Sequence, residues 1–329
     1  MPVVQRVALA YNNVYVVDTG GGRVMVDTGP DYLGAFEALD RALEGRSPDV
    51  VLATHGHVDH AGLGARWQAR GVPVSLGAAD HELAAGPSAA YLREVALLEA
   101  YLDGAGAPAE IAAEALAGLE RRKAWARAIA THGAYQPSGR GGRWPTALRY
   151  DAFEPSTIGE QSGRLGPLQA VACPGHTPGN VVLVEPGEGW LFSGDQLLPE
   201  MTPTPALQRA PGREEAWRFR SLPAFVASLH TIGGRAFTRC YPGHGEPFDD
   251  VAGAIAANLA AIEARNEKTW QELRDGGPAT VAALSEQLYP RALRRRFWQI
   301  ISTVQGHLDL LEDDGRVRLD GGRYTALEP

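Results

Sequence analysis

Seven residues in this chain could bind metal, and their spacing groups them. His55, His57 and His60 fall within six residues, with Asp59 beside the last of them, directly after the apolar run Val50–Ala53. His176 sits in Pro174-Gly175-His176-Thr177-Pro178-Gly179, Asp195 in Phe192-Ser193-Gly194-Asp195, and His244 in Tyr241-Pro242-Gly243-His244-Gly245. Each follows a run that reads as a strand, and strand ends are where α/β sheets present their sites. A lone histidine after a strand is more often structural than ligating; here the conjunction decides. Imidazole nitrogen and carboxylate oxygen are preferred ligands for zinc and its first-row neighbours. One ion needs three or four protein ligands. Seven suffice for two ions if a carboxylate bridges and a position stays open to water. Two ions about 3.5–4 Å apart can hold a hydroxide at neutral pH and polarise a carbonyl or phosphoryl oxygen. The expected cofactor is therefore a pair of divalent metal ions, Zn2+ first, with Fe or Mn suiting the same ligands. His81, His132, His230 and His307 keep an ordinary structural reading.

The elements that must position these residues alternate. Val3–Ala8, Asn13–Val17 and Arg23–Val26 are β-branched runs broken by turn residues. Asp31 can cap a helix to about Leu43 with Leu33, Phe36, Leu39 and Leu43 on one face. After the histidine run a helix is predicted to about Ala69, then a strand at Val72–Leu76. Strand, helix, strand, helix at this spacing implies layered α/β architecture. From about Asp80 to Gly133 two helical patterns follow each other, Tyr91–Leu102 and Ala109–Ile129, which read as a helical hairpin inserted into that domain. Gln136–Trp144 reads as a loop. Strands resume at Leu168–Cys173, Val181–Glu185 and Trp190–Phe192. A helix over Trp217–His230 and a strand at Ala236–Tyr241 follow. Beyond Asp249 come three helical stretches and a small hairpin, Arg316–Leu319 and Tyr324–Leu327, resembling a winged-helix module.

Composition removes several classes. The chain has 329 residues, 39 acidic against 31 basic, and a formal net charge of −8. No global basic field invites nucleic acid. Met1–Tyr15 does not read as a signal peptide, and no run approaches the ~20 apolar residues of a membrane helix. Two cysteines, Cys173 and Cys240, in a chain this long suggest a reducing cytoplasm. Each reads as a small buried residue. After Gly277 the arginines and acidic residues balance, so the C-terminal module is expected to serve packing or homodimerisation. Arg291, Arg294, Arg295 and Arg296 read as a solvated helix face.

In this order, the run His55 to His60 with His176, Asp195 and His244 resembles the metallo-β-lactamase fold superfamily of hydrolases. The flanks Val26-Asp27-Thr28-Gly29 and Pro242-Gly243-His244-Gly245 are similar to that family as well, and the likeness spans about Val3 to Phe248. The resemblance implies an α/β fold, a four-layer αββα sandwich with metals at one edge. Residues 1–248 would form the hydrolase domain, with the helical insertion at about 80–133, and 249–329 the helical, winged-helix-like module. Carried over by position, His55, His57 and His176 would hold one ion. Asp59, His60 and His244 would hold the other, with Asp195 bridging and Asp27 orienting ligands.

Departures narrow the branch. His57 stands where the flavo-diiron branch has Glu, which argues against oxygen reduction. The full second ligand set argues against the single-iron persulfide dioxygenases. The lysine motif and leader of secreted β-lactamases are not visible, leaving weak β-lactamase activity as an alternative only. Homoserine-lactone lactonases often carry a tyrosine soon after the bridging Asp. Here that stretch is Gln196-Leu197-Leu198-Pro199, and Tyr91, Tyr101 or Tyr150 would have to substitute. No glutathione pattern like that of glyoxalase II is recognisable. The tail looks most like the subgroup with a C-terminal winged helix, which includes uncharacterised hydrolases and some ribonucleases.

The leading expectation is hydrolysis of an ester-like acyl bond (carboxylic ester, lactone or thioester) in a small-molecule substrate, by a hydroxide held between two metals. Asp59 or Asp195 would relay the proton. Leu, Tyr and Trp residues of Tyr91–Ile129 would line an acyl pocket. Phosphodiester hydrolysis is the alternative the same chemistry allows. A non-catalytic interaction protein is the third, and the full ligand set argues against it.

Overall fold

A computed structural model describes residues 2–10, 12–129, 148–158, 166–199, 201–203, 205–212 and 218–328. The β-branched runs at the start become β1 (Val3–Ala8), β2 (Asn13–Asp18) and β3 (Arg23–Val26). After α1 (Ala35–Ala42) come β4 (Val50–Leu52), two short helices α2 (Val58–Ala61) and α3 (Gly64–Ala69), and β5 (Val74–Leu76). The helical pair is α5 (Pro87–Ala105) and α6 (Ala109–Ala128), entered through the short α4 (His81–Ala85). β6 (Ser156–Thr157) completes a six-stranded sheet in order β1-β2-β3-β4-β5-β6. Pairing is antiparallel from β1 to β3 and parallel from β3 onward.

β7 (Gln169–Ala172), β8 (Val181–Glu185) and β9 (Trp190–Gly194) form the second sheet. A small hairpin, β10 (Gln208–Arg209) with β11 (Arg218–Phe219), precedes α7 (Ser221–Gly233) and β12 (Arg239–Pro242). The sheet order is β12-β9-β8-β7. The chain closes with α8 (Val251–Gly276), α9 (Val281–Leu288), α10 (Phe297–Asp313), β13 (Val317–Asp320) and β14 (Arg323–Ala326). Ala279 bridges antiparallel to Tyr324, tying the start of α9 to that last hairpin.

The layers follow from which faces are apolar. Tyr15, Val17, Val24, Val26 and Leu52 of the first sheet meet Val181, Leu183 and Phe192 of the second in a buried inner core. Both faces of the central strands are buried, as continuous apolar runs require. Outside the first sheet lie Leu39, Leu43, Leu63 and Trp67. Outside the second lie Phe225 and Leu229 of α7 and Val251, Ile255 and Ile262 of α8. The result is the four-layer αββα sandwich.

Two local expectations need correction. Asp31 does not cap α1, which starts at Ala35 behind Gly34. Its carboxylate pairs with Arg66 at 3.0 Å, its backbone bridges Arg149, and Leu33 is 89% exposed rather than on the apolar face. Part of the apolar face of the inserted helices, expected at a pocket, goes into a core instead. Val95, Leu98, Leu102, Ile111 and Leu119 share one core with Trp270, Leu273, Ile301 and Leu308 of the C-terminal helices. Arg294 adds ion pairs to Glu110 at 2.9 Å and Glu114 at 3.6 Å on α6, so one arginine of the basic run is already neutralised. Residues 136–144 and His132 lie outside the described residues. Among the described residues no helix is long and apolar enough to cross a membrane.

Candidate metal centre

Strand register delivers the ligands to one edge. β3 and β4 are parallel with Val26 opposite Leu52, so Asp27 and the Thr54–His55 turn leave the first sheet side by side. β9 and β12 are parallel with Gly194 opposite Pro242, which brings Asp195 beside the His244 loop. β7 ends just before His176. The two sheets are stitched at this edge by Val181 N–H to Thr54 O at 2.8 Å. From the first sheet, Asn13 N–H donates to Gly243 O at 2.7 Å and Tyr15 O–H to Pro242 O at 2.8 Å.

All seven expected ligands meet here. His57 Nδ1 lies 3.0 Å from His55 Nε2 and 3.1 Å from His176 Nε2. His244 Nε2 lies 3.4 Å from His60 Nε2 and 3.4 Å from Asp59 Oδ2. Asp195 spans the two groups: Oδ2 is 3.4 Å from His176 Nε2, and Oδ1 is 3.3 Å from both His60 Nε2 and His244 Nε2. An ion with bonds of about 2.0–2.1 Å in tetrahedral array separates its donor atoms by about 3.3 Å. The donor set therefore fits two ions, one at His55–His57–His176 and one at Asp59–His60–His244. An independent observation agrees: Asp195 Oδ1 is buried and makes no hydrogen bond among the described residues, although buried polar atoms are ordinarily satisfied.

Backbone shape permits the convergence. At Gly243 a Cβ would lie 2.7 Å from both Asp195 Oδ1 and His60 Cε1, so only glycine lets this loop approach. Gly194 has φ 51° and backs onto Thr54 Oγ1, where a Cβ would sit at 2.5 Å. Asp27 is a buried non-glycine residue at φ 65°, a conformation kept where surroundings over-determine it. Its Oδ1 accepts from Thr54 N at 2.7 Å and Thr54 Oγ1 at 2.9 Å. Its Oδ2 is 2.7 Å from His60 Nδ1. That contact places the His60 proton on Nδ1 and leaves the Nε2 lone pair for a metal. Thr54 Oγ1, 3.1 Å from His55 Nδ1, does the same for His55.

Electrostatics divide the cluster. In the metal-free protein burial pushes His55 well below its ordinary pKa and His176 down to about 4; the neighbouring imidazoles add to this. Burial also opposes charge on His60 and His244. For His60 the carboxylates of Asp27, Asp195 and Asp59 outweigh it, and it rises well above the ordinary value. For His244 the neighbouring carboxylates of Asp195 and Asp59 outweigh it, and it reaches about 10. Asp59 is raised by burial but brought down to about 2 by His60 and His244.

Asp80, which the sequence places only at the start of the insertion, clamps two ligand loops. Its Oδ2 accepts from Gly56 N at 2.9 Å and Thr177 Oγ1 at 2.6 Å, and its Oδ1 from Gly179 N at 2.8 Å. Burial nevertheless raises its pKa. Three candidate tyrosines separate cleanly. Tyr150 O–H donates to Gly56 O at 2.9 Å and Tyr101 O–H to Gln305 Oε1 at 2.6 Å, so both are committed to structure. Tyr91 also meets the ligand run, through a main-chain hydrogen bond at Val58, and packs edge-on to Trp125.

The sandwich and its edge cluster define an α/β protein with grouped His and Asp side chains that could hold metal ions. A sequence model of the metallo-beta-lactamase superfamily matches residues 8–230, and the chain belongs to that superfamily. It is 31% identical over 139 residues to the probable metallo-hydrolase YqjP of Bacillus subtilis (strain 168), covering 42% of this chain and 43% of that protein. To the beta-lactamase-like protein 2 homolog of Caenorhabditis elegans it is 29% identical over 122 residues, covering 37% of each. The matched stretch is thus less than half the length of these relatives. Among solved structures, the metallo-beta-lactamase family protein TTHA1429 from Thermus thermophilus superposes with TM-score 0.69 at 24% identity, over 99% of this chain and 98% of that one. A beta-lactamase domain protein from Burkholderia ambifaria gives TM-score 0.65 at 20% identity, over 99% and 92%. Both likenesses run through the C-terminal helices as well as the sandwich.

Proposed function

We propose that the protein is a dinuclear metal-dependent hydrolase that cleaves an ester-like acyl bond, namely a carboxylic ester, lactone or thioester. The observation that carries the metal reading is Asp195, whose two oxygens face two separate histidine groups. When bound, divalent ions supply Lewis acidity that activates water at neutral pH and polarises the oxygen of the bond to be cleaved. His55, His57 and His176 would hold one ion, Asp59, His60 and His244 the other, with Asp195 shared; zinc, iron and manganese all suit this set. Asp59, pulled down to about 2, stays ionised across the working pH range and orients the attacking water. The pair Asp59 and Asp195 carries the proton toward the departing group. Tyr91, held protonated by burial, would donate a hydrogen bond to substrate at the Val58 side.

An acyl rather than a phosphodiester substrate is supported by charge. The net charge is −8, and Arg294 in the basic run is paired to α6. The net negative field disfavours a polyanion. The test is a panel of lactones, thioesters, aryl esters and phosphodiesters on protein reconstituted with Zn2+, Fe2+ or Mn2+. Turnover of one or more acyl substrates above the phosphodiesters is the expected outcome. Phosphodiesters alone, with salt-dependent RNA binding, would replace this reading.

A further inference from the structure

The loop carrying His176 is held differently from the loop carrying His55 and His60. Those two rings are fixed at Nδ1 by Thr54 and Asp27. The Nδ1 of His176 is buried and makes no hydrogen bond among the described residues. Its ring is therefore aimed through the main chain, and the main chain here has an unusual set of partners. Pro174 O accepts from Ser228 Oγ at 2.7 Å, Gly175 O from Ser221 Oγ at 2.5 Å, and His176 O from Gln208 Nε2 at 2.7 Å. Three successive carbonyls are capped by three buried side chains of one downstream segment.

That segment is anchored in turn to α10. Arg218 forks onto both carboxylate oxygens of Asp309, which is 1% exposed. Arg220 donates to Asp309 O at 2.5 Å and to Asp313 Oδ1 at 2.6 Å. Gly306 of α10 lies so close to α7 that a Cβ would be 2.9 Å from Leu222 Cβ. A buried bidentate Arg–carboxylate pair is among the more rigid side-chain contacts available.

We infer that Gln208, supported by Ser221, is the positioning residue for His176, and that α10 sets the metal occupancy of the His55–His57–His176 group through the Arg218–Asp309 lock. The inference rests on the reading that these histidines hold an ion, but not on any substrate. It gives the C-terminal helices a role inside the metal centre. A purely structural role for Gln208 makes a different prediction, because satisfying a buried carbonyl stabilises the fold without preferring one ion over the other.

Metal-stripped wild type, Q208A, D309N and H176A are titrated with Co2+, read by visible absorption. Amide exchange of peptides spanning residues 174–180 is followed without metal. Wild type is expected to take two ions per chain. In Q208A one of them should bind ten- to a hundredfold more weakly, the usual effect of losing outer support, and it should be the step that H176A also weakens. The loop should exchange faster even without metal. D309N should weaken the same step by a smaller factor. Should D309N fail to fold, Q208A decides alone, since it leaves the arginine–aspartate lock in place. Wild-type affinity for both ions in Q208A overturns the inference, as does equal weakening of both ions with a matching drop in Tm. Wild type that takes up no ion is a distinct outcome and removes the metal-centre reading itself.

Discussion

Asp27 illustrates how much of the chemistry hangs on single protons. Its Oδ2 at 2.7 Å from His60 Nδ1 fixes the tautomer that leaves Nε2 facing Asp59, Asp195 and His244. Asp27→Asn keeps the shape and tolerates φ 65°, but presents either an N–H to a nitrogen that must keep its proton or an oxygen that displaces the Thr54 contacts. The ion at Asp59–His60–His244 should then bind ten- to a hundredfold more weakly, measured by competition with a chelator, while the other is retained. Asp195→Ala should lower metal content and abolish turnover; elemental analysis showing two ions per chain with normal activity would remove the bridging assignment. The pKa pattern adds a pH signature with a definite sign. A histidine must shed its proton to ligate. His176, at about 4, is already neutral at pH 7, whereas His244, at about 10, is protonated there in the metal-free protein. Filling the Asp59–His60–His244 group should release protons at pH 7 and tighten with rising pH toward about 10. Filling His55–His57–His176, whose histidines all lie below their ordinary values, should release far fewer at pH 7. Calorimetry in buffers of different ionisation enthalpy reads both.

Strand ends and loops were legible in sequence to very different degrees. The convergence of the seven candidate ligands could be read because each is a chemically specific type in a turn just after a β-branched run, and both features survive in one dimension. The strands were legible for the same reason: a buried run such as Val181–Glu185 has little alternative. Asp80 was not, because an aspartate at the head of a helix ordinarily caps it. Here it makes no cap and instead joins Gly56 to Thr177, residues 121 positions apart in the chain. Asp31 failed in the opposite sense: a good capping residue was drawn off by Arg66. Asp80→Ala should strand three buried donors and cost about 1–3 kcal/mol, seen as a lower denaturation midpoint at unchanged m-value. Gly243→Ala should damage metal binding and also lower stability, because its Cβ would meet Asp195 Oδ1 and His60 Cε1 at 2.7 Å.

At the scale of the whole chain, the inserted and C-terminal helices turn out to be parts of one structure. Periodicity marked both as amphipathic but could not say what covered them, and an acyl pocket was a natural expectation for a hairpin near the metals. Instead Leu119 of α6 and Leu308 of α10, both 0% exposed, belong to the same core. α8 then continues into a second core, burying Val251, Ile255 and Ile262 against the outer face of the second sheet. Contacts of this kind couple unfolding, since neither piece has a complete apolar interior without the other. Leu119→Ala should therefore destabilise by about 2–5 kcal/mol, the range for a buried leucine. It should lower the unfolding temperature of the sandwich and the C-terminal helices together, monitored by hydrogen exchange in α10 and in β8. A chain ending at Phe248 would expose the α7 face that α8 covers and lose the partner of Arg218. It should lack a cooperative thermal transition by circular dichroism. If that fragment instead melted sharply and bound two ions, the C-terminal helices would be dispensable to the centre they embrace, and the coupling argued through Asp309 would have to be abandoned with it.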